Sequence, residues 1–270
     1  NSGNDGEIEI INVAGGSGNY DYSNDGGTSW QPGSTFTGLS AGNYDIQVRD
    51  DNGCLSTIST VTINEPAEIT FDTNLTDVTC NSGNDGEIEI INVAGGSGAG
   101  YQYSIDGGTS WQGTNTFTNL IAGNYNVVVR DGQGCLSDVS TVTINEPAEV
   151  TFDTNITDVT CNSGSDGEIE VINVAGGSGG GYEYSNDGGT NWQPGNTFAG
   201  LSAGDYDIQV RDGNGCVSAI VTVTVNEPDP INFNTNITDV TCNGGNDGEI
   251  EIINVAGGSG NYDYSNDGGT

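Results

Sequence analysis

Apolar and polar residues alternate in short runs along this chain, and those runs set its elements. In Tyr44-Asp45-Ile46-Gln47-Val48-Arg49 every second residue is apolar, the pattern of a strand with one face in a core and the other in water. Thr60-Val61-Thr62-Ile63 alternates likewise. Glu7-Ile8-Glu9-Ile10 begins the same way, slips one place at Ile11 and resumes at Val13, which predicts a β-bulge there. Asp50-Asp51-Asn52-Gly53 lies between two runs and supplies the Asn-Gly chemistry of a tight hairpin. Gly15-Gly16, Gly26-Gly27 and Ala41-Gly42 mark further turns. No stretch carries a 3.6-residue apolar period, and 45 glycines in 270 residues disfavour helices. The pattern predicts six or seven short antiparallel strands per folding unit, packed as a β-sandwich.

The units themselves are legible because the text repeats. GEIEIINVAGG at 6–16 returns at 86–96 and, with one change, at 167–177, while cysteines 54, 80, 135, 161, 216 and 242 form two series, each with a period of 81 residues. One unit copied in tandem follows. The expected fold class is all-β: antiparallel sandwich domains of about 81 residues, immunoglobulin-like or PKD-like, in a linear array. Asn64-Glu65-Pro66 closes a unit, since Pro fixes φ and removes a donor at a junction. The boundaries read as 1–66, 67–147, 148–228 and a partial unit at 229–270, a window on a longer array. Leu39-Ser40-Ala41-Gly42-Asn43-Tyr44 resembles the tyrosine corner of immunoglobulin-like sandwiches and recurs at Tyr125 and Tyr206.

Charge narrows the partners. There are 38 acidic residues against 3 basic ones, all arginine, and no His, for a net charge of −35. Such a surface repels phosphates and anionic bilayers, so nucleic acid is excluded as a partner. No segment has the ~18 consecutive apolar residues of a membrane span. The acidic turns offer hard oxygen ligands, and calcium at or between units is the one cofactor they suggest. The candidates are Asp5, Asp50, Asp51, Asp85, Asp131, Asp166, Asp212 and Asp247, with Asp72 and Asp77 near the junctions. The competing reading is turn residues satisfied by local hydrogen bonds.

Ser23-Asn24-Asp25-Gly26-Gly27-Thr28-Ser29-Trp30 fits the Asp-box pattern S-x-D-x-G-x-[ST]-W, which returns at 104–111 and 185–192. Asp25, Asp106 and Asp187 are expected to bind turn amides, and Trp30, Trp111 and Trp192 to pack beneath. Sialidases carry this motif, but their chemistry needs clustered arginines, and here Arg49, Arg130 and Arg211 occur once per unit. With no His for a base and no paired-carboxylate pocket, the chain reads as a non-enzyme. A glycan-binding module using exposed tryptophans is a weaker alternative.

Regular cysteines in an extracellular-type composition imply disulfides. Two connectivities are open. Cys54–Cys80, Cys135–Cys161 and Cys216–Cys242 would each close a hairpin turning at the Pro-Ala junction, and this set is preferred. Cys80–Cys135 with Cys161–Cys216 would lie within single units. Asn74-Leu75-Thr76, Asn155-Ile156-Thr157 and Asn236-Ile237-Thr238 are glycosylation sequons.

The order Val78-Thr79-Cys80-Asn81-Ser82-Gly83-Asn84-Asp85-Gly86, Gly95-Gly96, Tyr101-x-Tyr103-Ser104, Ala122-Gly123-Asn124-Tyr125 and Gly134-Cys135 resembles the SprB repeat. That family occurs in very large surface adhesins of gliding Bacteroidota and in other proteins exported by the type IX secretion system. The resemblance implies an extracellular, cell-surface location, immunoglobulin-like domains in series and a non-catalytic role in adhesion, filament building or gliding. Partners would be a second copy of the chain or a surface glycan or protein. The alternative is a spacer stalk for a catalytic or carbohydrate-binding domain elsewhere.

Overall fold

The computed structural model describes residues 3–269. Every regular element is a strand, and no helix occurs among the described residues. The first repeat contains β1 (Gly6–Glu9), β2 (Tyr20–Ser23), β3 (Thr35–Leu39), β4 (Gly42–Asp50) and β5 (Ser59–Ile63). The second contains β6 (Thr70–Thr76), β7 (Gly86–Ala94), β8 (Gln102–Ser104), β9 (Thr116–Leu120), β10 (Gly123–Arg130) and β11 (Ser140–Ile144). The third repeats that order as β12 (Thr151–Thr157), β13 (Gly167–Ala175), β14 (Glu183–Ser185), β15 (Thr197–Leu201), β16 (Gly204–Arg211) and β17 (Val221–Val225). β18 (Asn232–Thr238) and β19 (Glu249–Ala256) follow.

The pairings identify the sandwich. The second repeat forms sheets β6-β7-β9 and β11-β10-β8, and the third forms β12-β13-β15 and β14-β16-β17. Lettered A, B, C, E, F and G in chain order, each full repeat is A-B-E against C-F-G, the immunoglobulin arrangement reduced to six strands. All-β immunoglobulin-like sandwiches are what the alternating runs predict. In the third repeat Ile169 and Val171 of β13 and Phe198 of β15 meet Ile208 and Val210 of β16 and Val225 of β17 in one buried cluster. Each fully buried aliphatic side chain there contributes about 1.5–3 kcal/mol.

The slip at Ile11 lies past the end of β1, and the same slip in the later repeats is a bulge. Its counterparts lie where β6 and β7 change register between Thr70↔Ala94 and Asp72↔Ile91, and where β12 and β13 do the same between Thr151↔Ala175 and Asp153↔Ile172. The extra residue is an asparagine in the left-handed region, with φ of 55° at Asn12 and 53° at Asn92 and Asn173. Asn tolerates that region because its short amide bonds locally; Asn92 Nδ2 donates to Asp72 Oδ2 at 2.9 Å. The turn after β13 requires glycine for a second reason. Gly176 has φ of 88°, and a Cβ there would lie 1.9 Å from the carbonyl oxygen of Glu149. The tyrosine corners form as well: Tyr44 and Tyr206 hydroxyls donate to the carbonyls of Ser40 at 2.8 Å and Ser202 at 2.9 Å.

By contact density the chain falls into two compact units. One takes Asn1–Thr76, Glu87–Asn119 and Gly123–Ile144, and the other takes Asp77–Gly86, Leu120–Ala122 and Asn145–Thr270. The second unit therefore holds the A–B loop of the second repeat together with the whole third repeat.

Candidate functional site

That A–B loop and the F–G hairpin of the third repeat form the site. The loop, residues 77–86, is fixed at both ends. Asp85 Oδ1 accepts the Thr79 amide at 2.9 Å, and Asp77 Oδ1 accepts the Asn145 amide at 2.8 Å. The Asn145-Glu146-Pro147 linker lies along it: Val78 N–H donates to Asn145 O at 2.9 Å, Asn81 Nδ2 to Pro147 O at 3.1 Å and Ser82 N–H to Glu146 Oε2 at 2.5 Å. The same strap recurs one repeat later, where Asp158 accepts the Asn226 amide at 2.8 Å and Glu227 accepts Ser163 N–H at 2.6 Å.

The hairpin is organised by Asp212, which is 2% exposed. Its Oδ1 accepts the amides of Asn214 and Cys216, each at 2.9 Å, and its Oδ2 accepts Ser178 N–H, from the B–C turn, at 2.6 Å. Burial penalises the charge, but the amides of Ser178 and Cys216 outweigh it and hold the carboxyl below its usual range. Gly215, with φ of 86°, turns the chain and donates to Asp212 O at 3.0 Å. Asp131 and Asp50 build the same hairpin around Cys135 and Cys54.

The two loops are covalently joined. Cys80 is bonded to Cys216 across 136 residues, with Cα atoms 5.3 Å apart. Cys216 is buried, and its Sγ lies 3.3 Å from Thr79 O. This corrects both connectivities drawn from the sequence. The preferred set, Cys54–Cys80, Cys135–Cys161 and Cys216–Cys242, needs the chain to fold back at Pro66-Ala67. Instead β5 pairs with β4 and β6 pairs with β7, so the chain runs on into the next sandwich. The other set, Cys80–Cys135 and Cys161–Cys216, fails on strand length. Cys161 precedes the Gly167 end of β13, which pairs with Leu201, whereas Cys216 follows the far end of β16. The eight residues of β16 put those poles roughly 25 Å apart. Cys54, Cys135, Cys161 and Cys242 are unbonded.

Of the calcium candidates, Asp50, Asp51, Asp85, Asp131, Asp166, Asp212 and Asp247 accept hydrogen bonds that shape their loops, and the candidates do not converge. Among the described residues no three acidic, His or Cys side chains gather as a cation site. Asp166 and Asp247 repeat the bond of Asp85, accepting the amides of Thr160 and Thr241 at 3.1 Å. Asp51 Oδ2 accepts Asn19 Nδ2 at 2.6 Å.

The Asp-boxes close as hairpins. Asp187 Oδ1 accepts the Ser185 hydroxyl at 2.7 Å and the amides of Thr190 and Asn191 at 3.0 and 2.8 Å. These bonds, the Asn191 amide foremost, lower its pKa to about 2; Asp25 falls to about 2 chiefly through the Ser29 hydroxyl, and Asp106 is lowered in the same way by Ser110. The tryptophans are half-buried, and each indole N–H bonds within its turn, as Trp192 Nε1 does to Gly189 O at 2.9 Å. Their faces are covered by the one arginine of each repeat, at 4.6 Å for Arg49 on Trp30, 4.3 Å for Arg130 on Trp111 and 4.5 Å for Arg211 on Trp192. The ring faces thus stack on guanidinium groups. Arg49 and Arg211 also bridge Asp21 and Glu183, at 2.7 and 2.5 Å. The isolated arginine of each repeat is legible in the sequence; its tryptophan partner is not.

The family model described as the SprB repeat matches residues 73–110, 154–191 and 234–270. The chain carries three SprB repeats. The matched stretches run from the A strand to the Asp-box, so the SprB pattern includes the A–B-loop cysteines Cys80, Cys161 and Cys242 and stops short of the F–G hairpin. SprB repeats belong to cell-surface adhesins, which makes this a repeat protein of adhesion type. No curated protein matches the chain. Solved structures similar to it include Drosophila OTK extracellular domains 3–5, at 12% identity over 83% of this chain and 92% of that one, with a TM-score of 0.27. The three N-terminal domains of bacteriophage RB49 Hoc, a highly immunogenic outer capsid protein, align at 15% identity over 83% and 91%, with a TM-score of 0.34. Titin I-band fragment I67–I69 aligns at 15% identity over 81% and 92%, with a TM-score of 0.33.

Proposed function

We propose that this chain is a mechanical segment of an extracellular, cell-surface fibre, its SprB repeats set end to end to give reach and clamped to one another by cystine. The observation that carries this reading is the Cys80–Cys216 bond between consecutive repeats. A disulfide spent between modules, in addition to a strapped linker, restricts how one repeat moves on the next. The bond also fits an oxidising compartment, and a charge of −35 keeps long arrays soluble and apart from anionic surfaces. The role is adhesive and structural. A surface protein or glycan, or a second copy of the chain, is the partner, and chemistry is left to other proteins. Arrays of two, three and four repeats test this by small-angle X-ray scattering. The maximum dimension is expected to rise by about 35–40 Å per repeat; a dimension that does not grow in constant steps contradicts the fibre.

A further inference from the structure

We propose that Cys80–Cys216 is one member of a series: the A–B-loop cysteine of each repeat pairs with the F–G-hairpin cysteine of the repeat that follows. Cys80, Cys161 and Cys242 occupy A–B loops, Cys54, Cys135 and Cys216 occupy F–G hairpins, and no cysteine lies elsewhere. The formed bond takes one from each class.

A second junction presents the same arrangement. Asp131, 3% exposed, accepts the amides of Gln133 and Cys135 at 3.0 and 2.9 Å, and that of Ser97 at 2.7 Å, as Asp212 does around Cys216. Across a cleft of about 780 Å³ from Cys135 stand Gly3 and Asp5 of the first repeat's A–B loop, with the Asn64-Glu65-Pro66 linker beside them. The corresponding cleft of the next junction is lined by Cys80, Asn81, Ser82 and Cys216. Asn1 aligns with Asn81, so the position matching Cys80 falls immediately ahead of Asn1. The hairpin of Cys135 thus lines the same cleft as the loop that would carry its partner. Closing such a bond removes a proton from each thiol and passes two electrons to an oxidant of the glutathione-disulfide class, which leaves as two thiols.

The consequence is mechanical, and it deepens the fibre reading. Each bond encloses more than one repeat, since 136 residues separate its cysteines and the period is 81. Successive enclosed segments therefore overlap. A covalent path along the array crosses one bond, follows the chain for the 26 residues from an F–G cysteine to the next A–B cysteine, as from Cys135 to Cys161, and crosses again. Only that stretch, out of two whole repeats, adds length when the sandwiches unfold.

Adding a single cysteine ahead of Asn1 tests the series. The protein is oxidised in a glutathione redox couple, and its cross-linked peptides are mapped without reduction. The added cysteine is expected to join Cys135, alongside Cys80–Cys216. In the Cys135→Ser form the added thiol is expected to stay free while Cys80–Cys216 persists. An added cysteine joined to Cys54, or left free beside an intact Cys80–Cys216 bond when Cys135 is present, overturns the series. This map is independent of the scattering experiment: constant dimensional steps with the wrong map leave the fibre standing and remove the series.

Discussion

The third repeat holds two hairpins built on the same chemistry, an aspartate accepting amides across a glycine turn, and they differ in what depends on them. Asp187 bonds within its own turn, to residues 185–191, and stands in solvent. Asp212 is buried and reaches Ser178, 34 residues away, while shaping the loop that carries Cys216. A carboxylate that closes only its own turn is a local stabiliser. One that ties two loops at a pole fixes where a cysteine is offered to the neighbouring repeat, so its loss spreads to the junction.

The largest effect should come from the bond itself. Cys216→Ser is expected to cost about 4–5 kcal/mol by freeing a loop of 136 residues in the unfolded chain, read as a lower melting temperature of the second and third repeats in calorimetry. Cys54→Ser, at an exposed and unbonded position, should stay within about 0.5 kcal/mol of the parent. Equal losses in the two variants would break the distinction between paired and unpaired hairpins.

Next comes the aspartate pair. Asp212→Ala leaves three amides without their acceptor, a cost on the order of 2 kcal/mol, and should slow recovery of the Cys80–Cys216 bond after reduction. Asp187→Ala should destabilise less and leave that recovery unchanged. Thiol trapping during reoxidation reads the difference.

Acid sharpens the comparison further. Asp25 and Asp187 have folded pKa values lowered to about 2, so their ionised forms favour the native state. That stabilisation is complete above the unfolded aspartate value of about 4 and disappears as pH falls from there towards 2. Thermal melts should therefore drop across that window, and less steeply in Asp187→Asn, which keeps an acceptor oxygen without ionising. The smallest effect belongs to the cation–π contact: Arg211→Gln should cost about 0.5–1 kcal/mol and alter Trp192 fluorescence.

Much of this architecture was legible from periodicity. Alternation located the strands, the slip at Ile11 located the bulge of the later repeats, and the S-x-D-x-G-x-[ST]-W spacing located a hairpin whose aspartate side chain bonds within its own turn. The disulfide was not legible, because two cysteine series of one period are compatible with pairing inside a repeat or between repeats. The choice depends on which poles face each other, and that is set by strand length and by the linker strap. Asp212 was singled out as a calcium candidate, and its part in tying two loops was not legible. Its acidic turn reads like any other, and only the tertiary approach of Ser178 distinguishes a buried organiser from a solvated ligand candidate.

Peptide mapping of the oxidised, unreduced chain tests the central claim most directly. A fragment joining Cys80 to Cys216 is the predicted product. A fragment joining Cys80 to Cys54 or to Cys135 would contradict the covalent clamp between consecutive repeats.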